Sequence, residues 1–281
     1  MGTDPAVLVT GAGGQVGQAL RRELPSARFL PHSELDVMVP SAVHEAAQGV
    51  DVIVHLAALT DVDACERDPT TADEVNSLGT RNVAEAAEVT GARVIYVSTN
   101  YVFDGTKTEE YAEEDRPAPL NAYGRSKLAG ETEVRGRAGH LVVRTSWVFG
   151  GGRNFVTTIL KAAKRRGDID VVDDQMGRPT WHRDLAAALA QVAREDMTGV
   201  LHVAGDGEPG SWADLARATL NAAGVTARVR NVDTATYLQR GGTRAATRPA
   251  NGVLSLEKAR RAGVRLGDWR ASLMEFVEEL S

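Results

Sequence analysis

The chain has 281 residues, 32 Lys and Arg against 38 Asp and Glu, a formal charge of −6, and 43% apolar residues. That apolar share builds a real core and excludes a disordered tail, and roughly 150 residues per domain allows about two domains or one large domain with an added lobe. The single Cys65 forbids an internal disulfide, six scattered His residues offer no zinc spacing, and the net acidity argues against a general nucleic-acid binder. No apolar run reaches the ~18 to 20 residues of a membrane span, and Met1–Ala6 lacks a signal peptide's basic and apolar regions and the Ser or Thr of a myristoylation site. The expectation is a soluble, reduced, cytoplasmic protein.

Short β-branched runs alternate with longer Ala-, Arg- and Glu-rich runs of helical period through the first half, which predicts parallel βαβ units. Ala6–Thr10 reads as a first strand buried on both faces, and Val16–Leu24 as a first helix stopped by Pro25. Ala27–Leu30, Asp51–Leu56, Arg93–Ser98 and Leu141–Arg144 follow as strands, with helical composition over Thr70–Val89 and Tyr123–Arg135. Beyond residue 150 the pattern loosens. Asn154–Arg166 and Trp181–Glu195 read as helices, Leu201–Ala204 as a strand, Trp212–Ala223 as a helix, then an Arg- and Thr-rich loop, and Asp268–Leu280 as a closing amphipathic helix. In a doubly wound sheet the turns after the strands line one carboxyl edge, so the chemistry belongs there.

Gly11-Ala12-Gly13-Gly14-Gln15-Val16-Gly17 follows the first strand directly and opens the first helix. Glycines permit the tight turn and close backbone approach, and the helix N-terminus holds a pyrophosphate, so this is a dinucleotide site. The expected fold is α/β: a Rossmann-type doubly wound parallel sheet over residues 1–150, with residues 151–281 forming mainly a smaller C-terminal lobe interleaved with the end of the sheet. NAD is ordinarily selected by an acid at the tip of the second strand that bonds the ribose 2′-hydroxyl. Here that strand ends in Pro31-His32-Ser33, with Arg21, Arg22 and His32 available to a 2′-phosphate, and Asp36 lies past the tip. The reading is NADPH, with NADH use open.

Tyr123-Gly124-Arg125-Ser126-Lys127 places a phenol and an ammonium on one helix face at i and i+4. A cationic Lys beside a phenol favours the phenolate and lowers its pKa, and the phenol can hand a proton to a carbonyl oxygen as hydride arrives at carbon. The strand ending Ser98-Thr99-Asn100-Tyr101 supplies a hydroxyl partner for that oxygen.

With these motifs the sequence resembles the extended short-chain dehydrogenase/reductases, and within them the dTDP-4-dehydrorhamnose reductase family. The resemblance runs nearly end to end, through Gly11–Gly17, Leu35-Asp36, His55–Asp63, Val75–Gly79, Ser98–Gly105, Tyr123–Glu131, Arg144–Gly150, Val171–Thr180 and Arg248–Asn251. It implies reduction of the C4 ketone of dTDP-4-dehydro-β-L-rhamnose, the last step to dTDP-L-rhamnose. Tyr123 would donate the proton, Lys127 would activate it and bind the cofactor ribose, and Thr99 would bond the reacting oxygen. Cofactor contacts would fall on Gly11, Gly14, Gln15, Val16, Gly17, Asp36, Val37, Ala58, Leu59, Thr60, Val97, Tyr123 and Lys127. Sugar contacts would fall on Thr99, Asn100, Tyr123 and Trp147, with the C-terminal lobe binding substrate.

Two departures stand out. Asn100 replaces the Asp of similar reductases and removes a charge beside the sugar. The glutamates that some relatives use to bind Mg²⁺ at a dimer interface are replaced by Gln18-Ala19, so no metal is expected, while a homodimer stays open. Arg228, Arg230, Arg240, Arg244 and Arg248 form a cationic run, of which one or two would bind the pyrophosphate of a dTDP-sugar. Glu109, Glu110, Glu113, Glu114 and Asp115 read as a solvated loop, and Cys65 as an ordinary loop residue. Two other functions compete: a 4-ketoreductase of another dTDP-deoxysugar, as in a dihydrostreptose-type pathway, and a non-catalytic dinucleotide-binding regulatory subunit, like that of methionine adenosyltransferase.

Overall fold

The computed structural model describes residues 4–241 and 245–280. Its centre is a parallel sheet of β1 (Val7–Thr10), β2 (Arg28–Leu30), β3 (Val52–His55), β4 (Arg93–Thr99), β5 (Leu141–Thr145) and, returning late in the chain, β10 (Gly199–His202). Every residue of β1, β3 and β5 is buried. Alternate side chains enter opposite cores, Val7 and Val9 on one face and Leu8 on the other, which is why these strands read as unbroken apolar runs.

One face is covered by α1 (Gln15–Glu23) and α8 (His182–Ala193), with Leu20, Leu185 and Leu189 in its core. The other holds α2 (Pro40–Ala46), α5 (Gly79–Thr90) and α6 (Ala122–Arg135), which bring Val43, Val83, Ala87 and Val134 to its core. The strand order is β10-β5-β4-β3-β1-β2. The chain therefore steps outward from β1 to β2 and then crosses to β3, so the winding reverses between β1 and β3 and opens a crevice at their carboxyl ends.

The helix expected over Thr70–Val89 is divided into α4 (Pro69–Asp73), one π turn over Glu74–Leu78, and α5. The Asn76 carbonyl in that turn accepts from the Thr80 hydroxyl at 2.7 Å and the Tyr96 hydroxyl at 3.4 Å, a local irregularity of the kind that marks functional sites. Sequence periodicity missed α2 and α3 (Val62–Arg67), and Cys65 lies in α3 rather than in a loop.

The later half contributes α8 and β10 to the sheet and builds a lobe from the rest. Its strands are short: β6 (Val148–Phe149) beside β9 (Thr180–Trp181), β7 (Ile169–Val172) beside β12 (Val229–Val232), and β8 (Met176–Gly177) beside β11 (Gly210–Ser211). Helices α7 (Phe155–Arg166), α9 (Trp212–Ala222) and α12 (Trp269–Glu278) enclose a separate core with Phe149, Val156, Trp181, Leu215, Trp269 and Phe276. The Arg- and Thr-rich stretch read as a loop holds β12 and α10 (Thr234–Gly241), and α11 (Glu257–Arg261) follows it. Among the described residues no helix is long and apolar enough to cross a membrane.

Candidate active site

The glycine turn sits at the switch between β1 and β3. Gly11 has φ +64°, and a Cβ there would lie 2.5 Å from the Ala57 nitrogen, so only glycine lets the two strand ends touch. A Cβ on Gly17 would lie 2.6 Å from Ala12 Cα, so its absence seats α1 on the turn. Helix α1 starts with Gly14 as N-cap, with no side-chain cap and no acid in its first turn. Its first N–H groups and positive dipole end thus face the crevice, an arrangement that fits a pyrophosphate. Gln15 and Val16 are half-buried there, and the Gln15 side chain donates to the Arg153 carbonyl at 3.4 Å.

No carboxylate occupies the tip of β2. Arg21 stacks over the Phe29 ring at 4.6 Å, and exposed His32 and Ser33 follow. Asp36 uses one oxygen to accept from the Met38 N–H at 2.9 Å, and the buried Val37 offers its carbonyl to Asn82 at 2.9 Å. A 2′-phosphate fits this cationic tip better than a ribose hydroxyl seeking an acid does.

The loop after β3, with Ala58, Leu59 and Thr60, is held by a residue that local pattern reading passed over. Asn76 is wholly buried; its Oδ1 accepts from the Leu59 N–H at 2.8 Å, and its Nδ2 donates to the Leu59 carbonyl at 3.0 Å and to Ser126 Oγ at 2.9 Å. Beneath it runs a buried chain. Thr80 donates to the Asn76 carbonyl, so its oxygen accepts from His55 Nε2 at 3.1 Å, and His55 Nδ1 accepts from Thr10 Oγ1 at 2.7 Å. Burial first, and Lys127 second, push the His55 pKa down to about 3, which keeps the ring neutral as this chain requires.

Thr99 ends β4, and Tyr123 stands in the first turn of α6, whose N-cap Asn121 accepts from the Gly124 N–H at 2.8 Å. A Cβ on Gly124 would come 2.1 Å from the Tyr101 carbonyl, so that glycine lets α6 close onto the Thr99–Val102 turn. The Thr99 hydroxyl faces the Tyr123 phenol, and the Tyr101 and Tyr123 rings meet edge-on at 6.1 Å. Lys127 is buried with Nζ 4.1 Å above the Tyr96 ring, and half-buried Val97 precedes the strand end.

The electrostatics differ from the expectation drawn from Tyr–Lys spacing. Burial pushes the Tyr123 phenol above its ordinary range, against the pull of the Thr99 bond, and pushes the Lys127 ammonium down to about 7. Burial sets the direction of both shifts. The result is a phenol that keeps its proton, the form a donor needs.

Asn100 is buried, and its Nδ2 donates to the Gly252 carbonyl at 3.0 Å. Gly252 belongs to a strap over residues 246–252. Asn121 donates to the Thr247 carbonyl at 2.8 Å, Arg248 pairs with Asp63 at 3.0 Å, and the Gly252 N–H donates to the Met176 carbonyl at 2.8 Å. Trp147 has φ +45° and stacks on Trp212 at 3.8 Å, while the absent side chain of Gly177 makes room for its ring.

Of the cationic run, Arg230 pairs with Asp170 and Arg248 with Asp63, while Arg244 and the Arg240 side chain lie outside the described residues. Other expectations are corrected. The acidic segment is tethered as well as solvated: Glu110 pairs with Arg178, Glu113 accepts from the His202 N–H at 2.9 Å, and Asp115 pairs with Lys107 at 2.7 Å. Cys65 is buried against Ala122 and Tyr123, and burial raises its thiol pKa to about 11. Among the described residues no group of three or more His, Cys, Asp or Glu is placed to hold a metal ion.

Comparison with known proteins gives the family. Residues 5–281 match the RmlD substrate binding domain family. The chain is 38% identical over 290 residues to a dTDP-4-dehydrorhamnose reductase of Sinorhizobium fredii, covering 96% of this chain and 95% of that protein. It is also 38% identical over 285 residues to a probable dTDP-4,6-dihydroxy-2-methyloxan-3-one 4-ketoreductase of Streptomyces antibioticus, covering 97% and 95%. The crystal structure of dTDP-4-dehydrorhamnose reductase from Bacillus anthracis in complex with NADP superposes with a TM-score of 0.92 at 35% identity, over 99% of this chain and 100% of that one. The chain belongs to the RmlD substrate binding domain family.

Proposed function

We propose that the chain reduces the C4 ketone of dTDP-4-dehydro-β-L-rhamnose to dTDP-L-rhamnose with NADPH, and that Thr99, Tyr123 and Lys127 are its catalytic residues. The observation that carries this reading is their assembly at the carboxyl edge of the sheet: a hydroxyl pair and a buried ammonium at the crevice opened by the glycine turn. Residues 1–150 with β10 bind the dinucleotide, through Gly11, Gly14, Gln15, Val16 and Gly17 at the pyrophosphate, Asp36 and Val37 at the adenosine end, and Ala58, Leu59, Thr60 and Val97 along the crevice. Residues 151–281 mainly shape the sugar site, to which Asn100 and Trp147 also contribute.

When bound, reduced nicotinamide supplies the hydride. The Thr99 and Tyr123 hydroxyls bind the ketone oxygen, and Tyr123 Oη gives it a proton as charge develops there. The Lys127 ammonium and the Thr99 hydroxyl then stabilise the phenolate left behind. Asn76 holds the crevice loop and the Ser126 side chain in fixed relation, so the crevice wall and the helix carrying Tyr123 keep their places.

The test is nicotinamide oxidation by purified protein without added metal, using enzymatically generated dTDP-4-dehydro-L-rhamnose and either NADPH or NADH. Tyr123→Phe should lower kcat by about 10²- to 10⁴-fold while NADPH binding persists. An unimpaired Y123F refutes the mechanism. A second reading, reduction of another dTDP-ketosugar, is favoured by Asn100 and by the Streptomyces antibioticus relative, and a panel of dTDP-4-ketosugars separates the two. A purely regulatory subunit has no use for the assembled phenol and ammonium.

A further inference from the structure

Glu131 lies one helical turn beyond Lys127 and two beyond Tyr123, so the three share one stripe of α6. Its side chain is wholly buried, as is that of Arg144 on β5. Arg144 Nε donates to Oε1 at 2.9 Å and Nη2 to Oε2 at 2.7 Å, while Ser98 Oγ donates to Oε1 at 2.6 Å. Ser98 immediately precedes Thr99, and the two stand in register with Arg144 and Thr145. One carboxylate therefore ties the helix carrying Tyr123 and Lys127 to the strand end carrying Thr99.

The surroundings are charged or titratable on several elements. Lys127 faces the Tyr96 ring of β4, neutral His55 of β3 and the Cys65 thiol of α3, besides Glu131 on its own helix. Arg144 meets the Phe103 ring at 5.1 Å, His202 Nε2 at 3.4 Å and the Glu113 carbonyl at 3.5 Å. Burial pushes His202 down to about 3, so its ring accepts rather than competes for charge, and the Glu113 carboxylate is engaged by the His202 backbone N–H. Buried ion pairs are seldom better for stability than apolar replacements, so stability alone does not account for placing one here.

We propose that Glu131, clamped by Arg144 and Ser98, is a positioning residue of the reductase site: it fixes Tyr123 and Lys127 against Thr99 and supplies the negative charge that faces the Lys127 ammonium. This rests on the reductase reading above. Its attraction works against the burial that lowers the Lys127 pKa.

The experiment compares wild type, Glu131→Gln and the double variant E131Q/R144M by kcat and KM across pH. A parallel NMR pH titration of the Lys127 side chain uses the dinucleotide-free proteins. E131Q, which leaves Arg144 without its partner, should lower the Lys127 midpoint by about one pH unit and kcat by at least about tenfold, with both KM values within about twofold. The double variant, which removes the pair as a unit, should show a smaller downward shift and recover part of kcat. Should E131Q fail to fold, the double variant decides by its Lys127 midpoint. A Lys127 midpoint equal to wild type, or kcat retained in E131Q, overturns the proposal. A wild type that turns over no dTDP-ketosugar overturns the reductase reading instead.

Discussion

Replacing Lys127 with Met should make the dinucleotide-free protein more stable while it abolishes turnover. Lys127 is 3% exposed, and burial brings its ammonium from 10.5 to about 7. Between those values the unfolded chain holds a proton that the folded chain has released, so stability rises as pH climbs from 7 towards 10 and is lowest below 7. At about 1.36 kcal/mol per pH unit, that interval sets a ceiling of about 5 kcal/mol on the destabilisation. Methionine keeps the stem that packs on Tyr96 and discards the charge. With dielectric relaxation absorbing roughly half of the ceiling, about 2 kcal/mol should be recovered, or about 4 to 8 °C in Tm at pH 7. Differential scanning fluorimetry of both proteins from pH 6.5 to 9.5 reads this directly: wild type should gain on K127M as pH rises, and the gap should narrow. A K127M protein that melts at or below wild type at pH 7, with the same pH slope, refutes the reasoning.

Asn100→Asp would set a carboxylate against the Gly252 carbonyl, now 3.0 Å from the Asn100 amide, and raise that carboxyl's folded pKa above the unfolded value. The penalty is absent below about pH 4 and grows as pH rises through the shifted value, reaching about 1–3 kcal/mol at pH 7, so the Tm deficit should be larger at pH 7.5 than at 4.5. Gly11→Ala places a methyl 2.5 Å from the Ala57 nitrogen in a left-handed backbone; NADPH affinity by fluorescence titration should fall at least about tenfold. Asn76→Ala releases both Leu59 bonds. It should weaken NADPH binding by about tenfold and lower Tm by several degrees, and an unchanged Kd would separate this clip from the cofactor loop. Cys65 should react with an aromatic disulfide reagent only as the chain unfolds, because its thiol is buried and raised to about 11.

The sheet strands, the glycine turn and the Tyr123–Lys127 pair were legible because each is written within a few consecutive residues: a β-branched run, a strand-to-helix glycine pattern, an i to i+4 spacing. What escaped is long-range. Asn76 reaches Ser126, 50 residues on; Glu113 reaches His202, 89 residues on; Arg248 returns to Asp63 across 185. No local period encodes such partners, so the acidic segment read as merely solvated and the Asp63 partner of Arg248 went unread. The pKa of Tyr123 escaped for a related reason. Spacing along a helix reveals which charges are near, but burial, which decided the direction, comes from elements elsewhere in the chain. Strand β12 and the π turn at Asn76 were hidden because neither carries a distinctive run of its own.

The return of β10 to the sheet gives the molecule an indivisible architecture. The chain leaves the sheet at Thr145, builds part of the lobe, and comes back to pair Gly199–His202 with Leu141–Arg144. A fragment ending near residue 150 would leave β5 as an open edge, apolar on both sides, with its N–H and carbonyl groups bare along one flank, a template for aggregation. It would also lose α8, against which α1 and the glycine turn are seated. Truncation, shuffling or grafting of the dinucleotide half alone should therefore yield insoluble material, and any transplant of this scaffold has to carry the chain through His202 to cover the β5 edge.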